Sequence, residues 1–501
     1  MKKVLAILTA AGVLVTLGAT PAPKPYVPPA PADAITHHVT TVAGQRIAYT
    51  ARAGTITLRN DKDQISARMF YVAYTKDGSD LNRRPVTFFY NGGPGSSTIW
   101  LHMGSFSPVR VATVNAGPTP SAPYTLNANP YSLIDKSDLV FIDAPNTGYS
   151  RVIGYGDPKD FMGVDQDGRA FTQFIQRYVT QFNRWNSPKF LFGESYGTTR
   201  DAVLVNMLQG AGMQFNGVVL LSAILNFGLT GLGGSNPIGG GDWAYVLYLP
   251  TEAATAWYHH MVPNRPASLT AFLKNVEAFA GGQYMQGLAQ GDRLSSGARE
   301  DLVQKLHAYL GLSATYIRDS NLRISYPRFE KELLRGRNVI VGRLDSRFQT
   351  FGLDAAADTA EWDPADVLTS GPFVGAFGHY VHDQLRFYSN LQYRPTAYTQ
   401  LGARWDMHHD GNDPPANVAP DLAQAMTQNP RLKVLLAGGY YDFATPYFAA
   451  EYTLGHLGVA PGVSRNVSYA FFQSGHMVYL NTPSLAQFKS VLSRWYDSAT
   501  R

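Results

Sequence analysis

The pattern of apolar and polar positions changes rhythm three times along the chain. Between about Ile35 and Thr75, short β-prone runs alternate with turn residues: Thr40-Thr41-Val42, Arg46-Ile47-Ala48-Tyr49 and Met69-Phe70-Tyr71-Val72-Ala73-Tyr74, separated by Ala43-Gly44 and Asn60-Asp61-Lys62-Asp63. This spacing predicts an antiparallel entry into a mixed sheet. Continuous apolar runs follow at Pro85–Tyr90, Asp138–Ile142, Lys189–Phe192 and Val218–Leu221, each short enough for a strand buried on both faces. Between the second and third, Phe171, Phe174, Ile175, Tyr178, Phe182 and Trp185 recur at steps of three, four or seven, which predicts a helix over about 165–185. Strand, helix and strand in this order imply a parallel sheet with helices on its faces.

The rhythm fails from Asn226 to Tyr398. A glycine-rich run, 231–241, opens a stretch of helical patterns with few buried strands. Strands resume at Leu432–Ala437 and Val467–Phe471, and Leu485, Phe488, Leu492 and Trp495 mark a last helix over Pro483–Tyr496. The pattern predicts an α/β fold: a mixed, mostly parallel sheet flanked by helices, with its core at 35–225 and 399–501 and a mainly helical cap at 226–398.

The first residues carry a different signal. Met1-Lys2-Lys3, the apolar stretch Val4–Gly18 and the small residues to Ala22 follow the order of a secretory signal peptide. The proline-rich 23–34 segment after it is expected to be an extended, disordered linker. The expected location is therefore periplasmic or extracellular, in a bacterial cell. A chain of 501 residues, 45% hydrophobic, can bury a large core; with no cysteine it has no disulfide, thiolate metal site or cysteine nucleophile. The net charge is +5, but 42 basic and 37 acidic residues are interspersed. That mixture argues against a nucleic-acid partner, and no integral membrane association is expected once the signal is removed.

Gly193-Glu194-Ser195-Tyr196-Gly197 fits G-x-S-x-G between an apolar strand and a helix, the setting of a nucleophile elbow. A serine hydroxyl needs a base, and this fold delivers acid and base later in the chain. Asp442 and His476 each follow one of the last two strands, in that order. His476 is the candidate general base and Asp442 the group that orients it. Asn91-Gly92-Gly93-Pro94-Gly95-Ser96-Ser97 follows a buried strand, so the Gly93 and Tyr196 N–H groups are candidates for an oxyanion hole.

These segments, with Asp143–Ser150 (DAPNTGYS) and Ser474-Gly475-His476-Met477, resemble the serine carboxypeptidase family in order and spacing. The resemblance covers about Arg84–Asn226 and Arg431–Trp495. It implies release of C-terminal residues from peptides with a free C-terminus, through an acyl-enzyme on Ser195, with no metal or cofactor. It also implies that Asn91 and Glu194 bind the terminal carboxylate of the substrate. Phe89 stands where the family has a tryptophan, removing an indole donor from that pocket. Ser105 replaces a second glutamate, and Ser96 and Thr445 stand where cysteines are common. These departures bear on exopeptidase specificity, and an esterase or acyltransferase on the same triad is the alternative; a catalytically silent binding protein is a third reading, against which the intact triad counts. The pairs His37-His38, His259-His260 and His408-His409 lack metal-ligand spacing, because adjacent residues point apart.

Overall fold

The computed structural model describes residues 25–230, 241–401 and 404–500. The expected signal peptide, the first linker residues and the glycine-rich 231–240 run lie outside them. The main sheet contains β1 (Ala34–Val42), β2 (Gln45–Arg59), β3 (Ile65–Lys76), β4 (Val86–Tyr90), β5 (Asp138–Ile142), β6 (Lys189–Glu194), β7 (Gly217–Leu221), β8 (Lys433–Gly439) and β9 (Val467–Phe472). Their spatial order is β1-β2-β3-β5-β4-β6-β7-β8-β9, with the short strand Arg151–Val152 beside β3. Pairings from β1 to β5 are antiparallel. Those from β5 to β9 are parallel. β4, β5, β6 and β7 are buried throughout, as parallel strands covered on both faces must be.

Alternate residues of these strands feed two cores. Phe89, Phe141 and Phe192 join Phe106 and Phe488 on one face. Phe88, Val140 and Leu191 join Phe171, Phe174 and Leu204 on the other. Phe171 and Phe174 belong to α1 (Val164–Gln181) and Leu204 to α2 (Tyr196–Gly210). α1 stops short of the predicted Trp185, which is 46% exposed. Asn183 takes a left-handed φ of 52°, and the Arg184 N–H closes the end on the Val179 carbonyl at 2.7 Å. The chain thereby turns Arg184 inward to Asp138, at 2.7 Å, and leaves the indole outside.

The expected linker is shorter than 23–34. Ala34 already pairs with Ala53 in β1, Asp33 bonds Arg52 at 2.9 Å, and the Pro29 carbonyl accepts from Arg68 at 3.0 Å. The 226–398 segment is also not one unit. Its first helices, including α3 (Trp243–Tyr258), enclose a core of their own with Leu273, Leu306 and Phe329, which Tyr441, Phe443 and Tyr447 of the body join. The long α4 (Pro364–Asp383) instead inserts Phe373, Phe377 and Tyr380 into the core of the main sheet.

Two straps fasten this region to the body. In the first, the Arg343 carbonyl accepts from Phe443 N–H at 3.0 Å, the Leu344 carbonyl from His476 N–H at 2.6 Å, and Ser346 N–H donates to the Tyr441 carbonyl at 3.0 Å. Asp345 accepts from Gly475 N–H at 3.1 Å and pairs with Arg347 at 2.5 Å, both buried. Arg347 also reaches Ser474 Oγ at 3.2 Å. In the second strap, Ser97 N–H donates to Pro395 O and Ala397 N–H to Gly95 O.

One further clamp joins distant segments. His409 meets Asp165 of α1 and Asp421 of α5 (Ala419–Gln428) through its two ring nitrogens, each at 2.7 Å. The bonds to Asp421 and Asp165 outweigh burial and raise its pKa to about 9. A raised folded-state pKa contributes stability that is complete below the ordinary value near 6.5 and disappears as pH rises through about 9. The difference in thermal midpoint between wild type and His409→Asn should therefore be largest near pH 6 and vanish near pH 10; a midpoint difference independent of pH would contradict the clamp. For the first strap, Arg347→Ala strands the buried Asp345 carboxylate. It should lower the unfolding free energy by about 3–5 kcal/mol, read by denaturant titration.

Candidate active site

The parallel strands all point their C-terminal ends to one edge, the position where open α/β sheets place their sites. Ser195 follows β6 directly, Asp442 follows β8, His476 follows β9 and Asn91 follows β4. Ser195 has φ 63° and ψ −130°, a conformation that non-glycine residues rarely adopt. The turn is held by Ser195 N–H on the Leu221 carbonyl at 3.0 Å and Thr198 N–H on the Ser195 carbonyl at 2.8 Å. It is tight enough that a Cβ at Gly193 would lie 2.2 Å from the Gly197 carbonyl oxygen and 2.4 Å from Asp201. The expected elbow is therefore present as a strained turn. Ser195, His476, Asn91, Gly93, Glu194 and Tyr196 all border one cavity of about 600 Å³.

Asp442 has no exposed surface and four donors. Oδ1 accepts from the N–H groups of Ala444 and Thr445, at 2.8 and 3.0 Å; Oδ2 accepts from Thr445 Oγ1 at 2.7 Å and His476 Nδ1 at 2.8 Å. With Nδ1 committed to Asp442, Nε2 is the nitrogen left to act on a substrate or nucleophile. Burial pulls the His476 pKa down, but Asp442 and then Glu194 outweigh it, so the net shift is upward from 6.5. The His476 carbonyl is held as well, by Ser222 Oγ at 2.7 Å.

Gly92 brings the loop after β4 against the start of α2; a Cβ there would lie 2.4 Å from Tyr196 N. Tyr196 is the first residue of α2, so its N–H has no acceptor inside the helix. The Gly93 and Tyr196 backbones thus border the cavity beside Ser195, where a developing oxyanion would need donors.

Glu194 is buried beside the serine. Tyr479 Oη donates to its Oε1 at 3.3 Å, and Oε2 has no partner among the described residues. Burial pushes its carboxyl up to about 7, against the lowering effects of His476, Tyr479 and Asn91. Asn91 Oδ1 accepts from Leu101 N–H at 2.9 Å, which fixes the amide so that its NH₂ faces Glu194 and Tyr479.

The structure changes how the departures read. Phe89 does not face the cavity; it stacks between Phe141 and Phe192, centroids 4.7 Å apart in each case, so no donor site is left empty there. Ser105 Oγ turns back to the Leu101 carbonyl at 2.5 Å, and Tyr479 occupies the partner's place beside Glu194. Thr445 supplies two of the donors on Asp442, and Ser96 Oγ accepts from Trp100 Nε1 at 2.9 Å. Asp143 of the DAPNTGYS segment ties its loop to the 96–98 turn through Thr98 N–H at 2.9 Å. Sequence reading passed over Tyr479, the strap residues Asp345 and Arg347, and Arg200. Tyr479 stands only three residues beyond His476, and Arg200 five beyond Ser195 on a buried helix, so both were within reach.

Residues 44–264 match the family model described as serine carboxypeptidase. The chain is 25% identical over 169 residues to serine carboxypeptidase-like 32 of Arabidopsis thaliana. It is 31% identical over 156 residues to the pheromone-processing carboxypeptidase KEX1 of Saccharomyces cerevisiae. These matches cover 33% and 29% of this chain, and span only 34% and 20% of the relatives' own lengths. Against the crystal structure of that yeast enzyme, a prohormone-processing carboxypeptidase, the fold superposes with a TM-score of 0.54 at 16% identity, covering 90% of this chain and 91% of the other. Over residues 44–264 this chain is similar to the serine carboxypeptidase family, and it shares the α/β-hydrolase fold with the yeast structure.

Proposed function

We propose that this protein is an exported serine-type carboxypeptidase that removes C-terminal residues from peptides through an acyl-enzyme on Ser195. The observation that carries the reading is Glu194: a buried carboxyl, next to the nucleophile, with one oxygen unpartnered and a pKa near 7. A protonated carboxyl at that place suits a second carboxylate, because two acids at hydrogen-bond distance share one proton more cheaply than none. Asn91 adds its amide donors from the other side.

In this mechanism His476 Nε2 takes the Ser195 proton as Oγ attacks the carbonyl of the last peptide bond. Asp442 holds the ring and stabilises the imidazolium, and the Gly93 and Tyr196 N–H groups receive the oxyanion. His476 then protonates the departing amine, and a water repeats the sequence to release the acyl group. Export to the periplasm or the exterior is part of the proposal, on the order of charge, apolar core and small residues in 1–22.

Ser195→Ala should remain folded yet lose several powers of ten in turnover, and adding His476→Ala or Asp442→Asn should cost little more, because the three act as one unit. Near-wild-type turnover by Ser195→Ala would overturn the mechanism. For peptides with a free C-terminus, KM should climb as pH rises through about 7 and the shared proton is lost. His476 must be neutral to act, and against burial Asp442 raises its pKa above the ordinary 6.5, so turnover should rise with pH as that proton is lost, opposing the KM rise in kcat/KM. Glu194→Gln should flatten the KM rise for acids and leave C-terminal amides unaffected. Identical KM profiles for matched acid and amide substrates in the wild type would instead favour an esterase or acyltransferase.

A further inference from the structure

Glu194 can serve a substrate carboxylate only if its proton sits on the oxygen that faces the cavity. A free carboxylic acid carries its proton on either oxygen and can rotate; the site must break that symmetry. Hydrogen bonds around it run in one direction. Leu101 N–H donates to Asn91 Oδ1 at 2.9 Å, which leaves the Asn91 NH₂ to face Tyr479 and Glu194, and the Tyr479 O–H donates to Glu194 Oε1 at 3.3 Å. An amide held at its oxygen presents only N–H groups on that side, so Glu194 Oε1 is the acceptor for the Tyr479 proton. Oε1 is thereby occupied as an acceptor, while Oε2 has no partner among the described residues.

We propose that Tyr479 is a positioning residue for substrate recognition, its phenol holding Glu194 Oε1 so that Oε2–H is aimed at the terminal carboxylate of the peptide. The inference rests on the carboxypeptidase reading and names the group that orients its recognition element. Tyr479 is built into place. It has no exposed surface, and its ring lies against Gly104, where a Cβ would come within 2.5 Å of it. Burial, then Glu194, keeps the phenol well above its ordinary pKa, so it stays a donor at every working pH. The titratable groups that face Glu194 are His476, Asp442, Tyr479 and Tyr398. His476, whose pKa Asp442 raises from 6.5 against burial, loses its proton equally for acid and amide substrates, so the matched pair separates its titration from that of Glu194.

The test is Tyr479→Phe assayed on matched peptides ending in a free carboxylate or an amide, with KM and kcat followed from pH 5 to 9. Loss of a hydrogen bond to a group that is charged in one state should raise KM for the acid about tenfold below pH 7. KM for the amide and kcat for both should stay within about twofold. The phenol favours the ionised carboxylate, so its removal should also move the alkaline rise in KM to higher pH. The labelling rate of Ser195 by a fluorophosphonate monitors the fold and the reactive dyad, and should be unchanged. An equal KM change for acid and amide, an alkaline limb that stays in place, or a matching loss of labelling would each overturn the proposal and make Tyr479 merely structural. If the wild type itself fails to distinguish acid from amide, it is the carboxypeptidase reading that falls; if the wild type distinguishes them and Tyr479→Phe does so identically, only the role of Tyr479 falls.

Discussion

A guanidinium with no exposed surface lies beneath the reactive turn, and the arrangement of the whole site depends on its being satisfied. Arg200 on α2 pairs with Asp167 of α1 at 2.6 Å and donates to the Asn91 carbonyl at 2.8 Å. Its plane lies 4.2 Å from the Phe171 ring centroid. A buried cation that loses a partner leaves an uncompensated charge, which costs far more than the pair contributes when intact. The helix behind the serine, the helix beside it and the loop that carries Asn91 therefore cannot separate without stranding an ion. That constraint sets the distance between nucleophile and recognition loop before any substrate arrives.

On the exposed side of the same turn, two carboxyl groups are given opposite surroundings. Asp442 has four donors and no unsatisfied oxygen. Glu194 has a phenol on one oxygen, none on the other, and a pKa near 7. The surroundings suit different tasks: Asp442, with every oxygen receiving a donor, holds the His476 ring, while Glu194, raised to about 7 by burial, can keep a proton to share. Each also acts on the ring between them, since Asp442 and Glu194 both favour the charged His476. His476 and Glu194 are thus electrostatically linked.

How much of this was legible in the sequence follows from how local each feature is. The strands β4 to β8 are legible because burial on both faces requires continuous apolar runs, and the elbow because its turn demands glycine at 193 and 197. The order of Ser195, Asp442 and His476 carried the candidate triad, since each follows a strand. Trp185 was assigned to the helix by its spacing, but a left-handed turn at Asn183 ends α1 first, and no period reveals that. Phe89 was read against the substrate pocket, whereas alternation along β4 turns it into the sheet core. α4 was assigned to the cap by its place in the chain, although its Phe373, Phe377 and Tyr380 belong to the main core. The long-range bonds of Asp345, Arg347 and Tyr479 are invisible for the same reason: residues up to 285 positions apart meet only when the chain is folded.

The straps give those long-range bonds a mechanical consequence. Residues 343–347 bond the backbone on both sides of Asp442, at Tyr441 and Phe443, and the backbone of His476 itself. The body alone therefore does not determine where the acid and the base lie, because the inserted segment supplies part of their hydrogen bonding. The same strap presents the Arg343 side chain to the cavity wall, and the second strap brings Tyr398 within 3.1 Å of where a Cβ on Gly93 would stand. Residues that line the cavity and backbones that hold Asp442 and His476 are thus consecutive in the same chain segments. A change in the cap that reshapes the cavity must preserve the strap bonds if His476 is to stay opposite Ser195. Freedom to vary should accordingly be least between 343 and 347, and greater in the first cap helices wherever they do not pack on Tyr441, Phe443 and Tyr447.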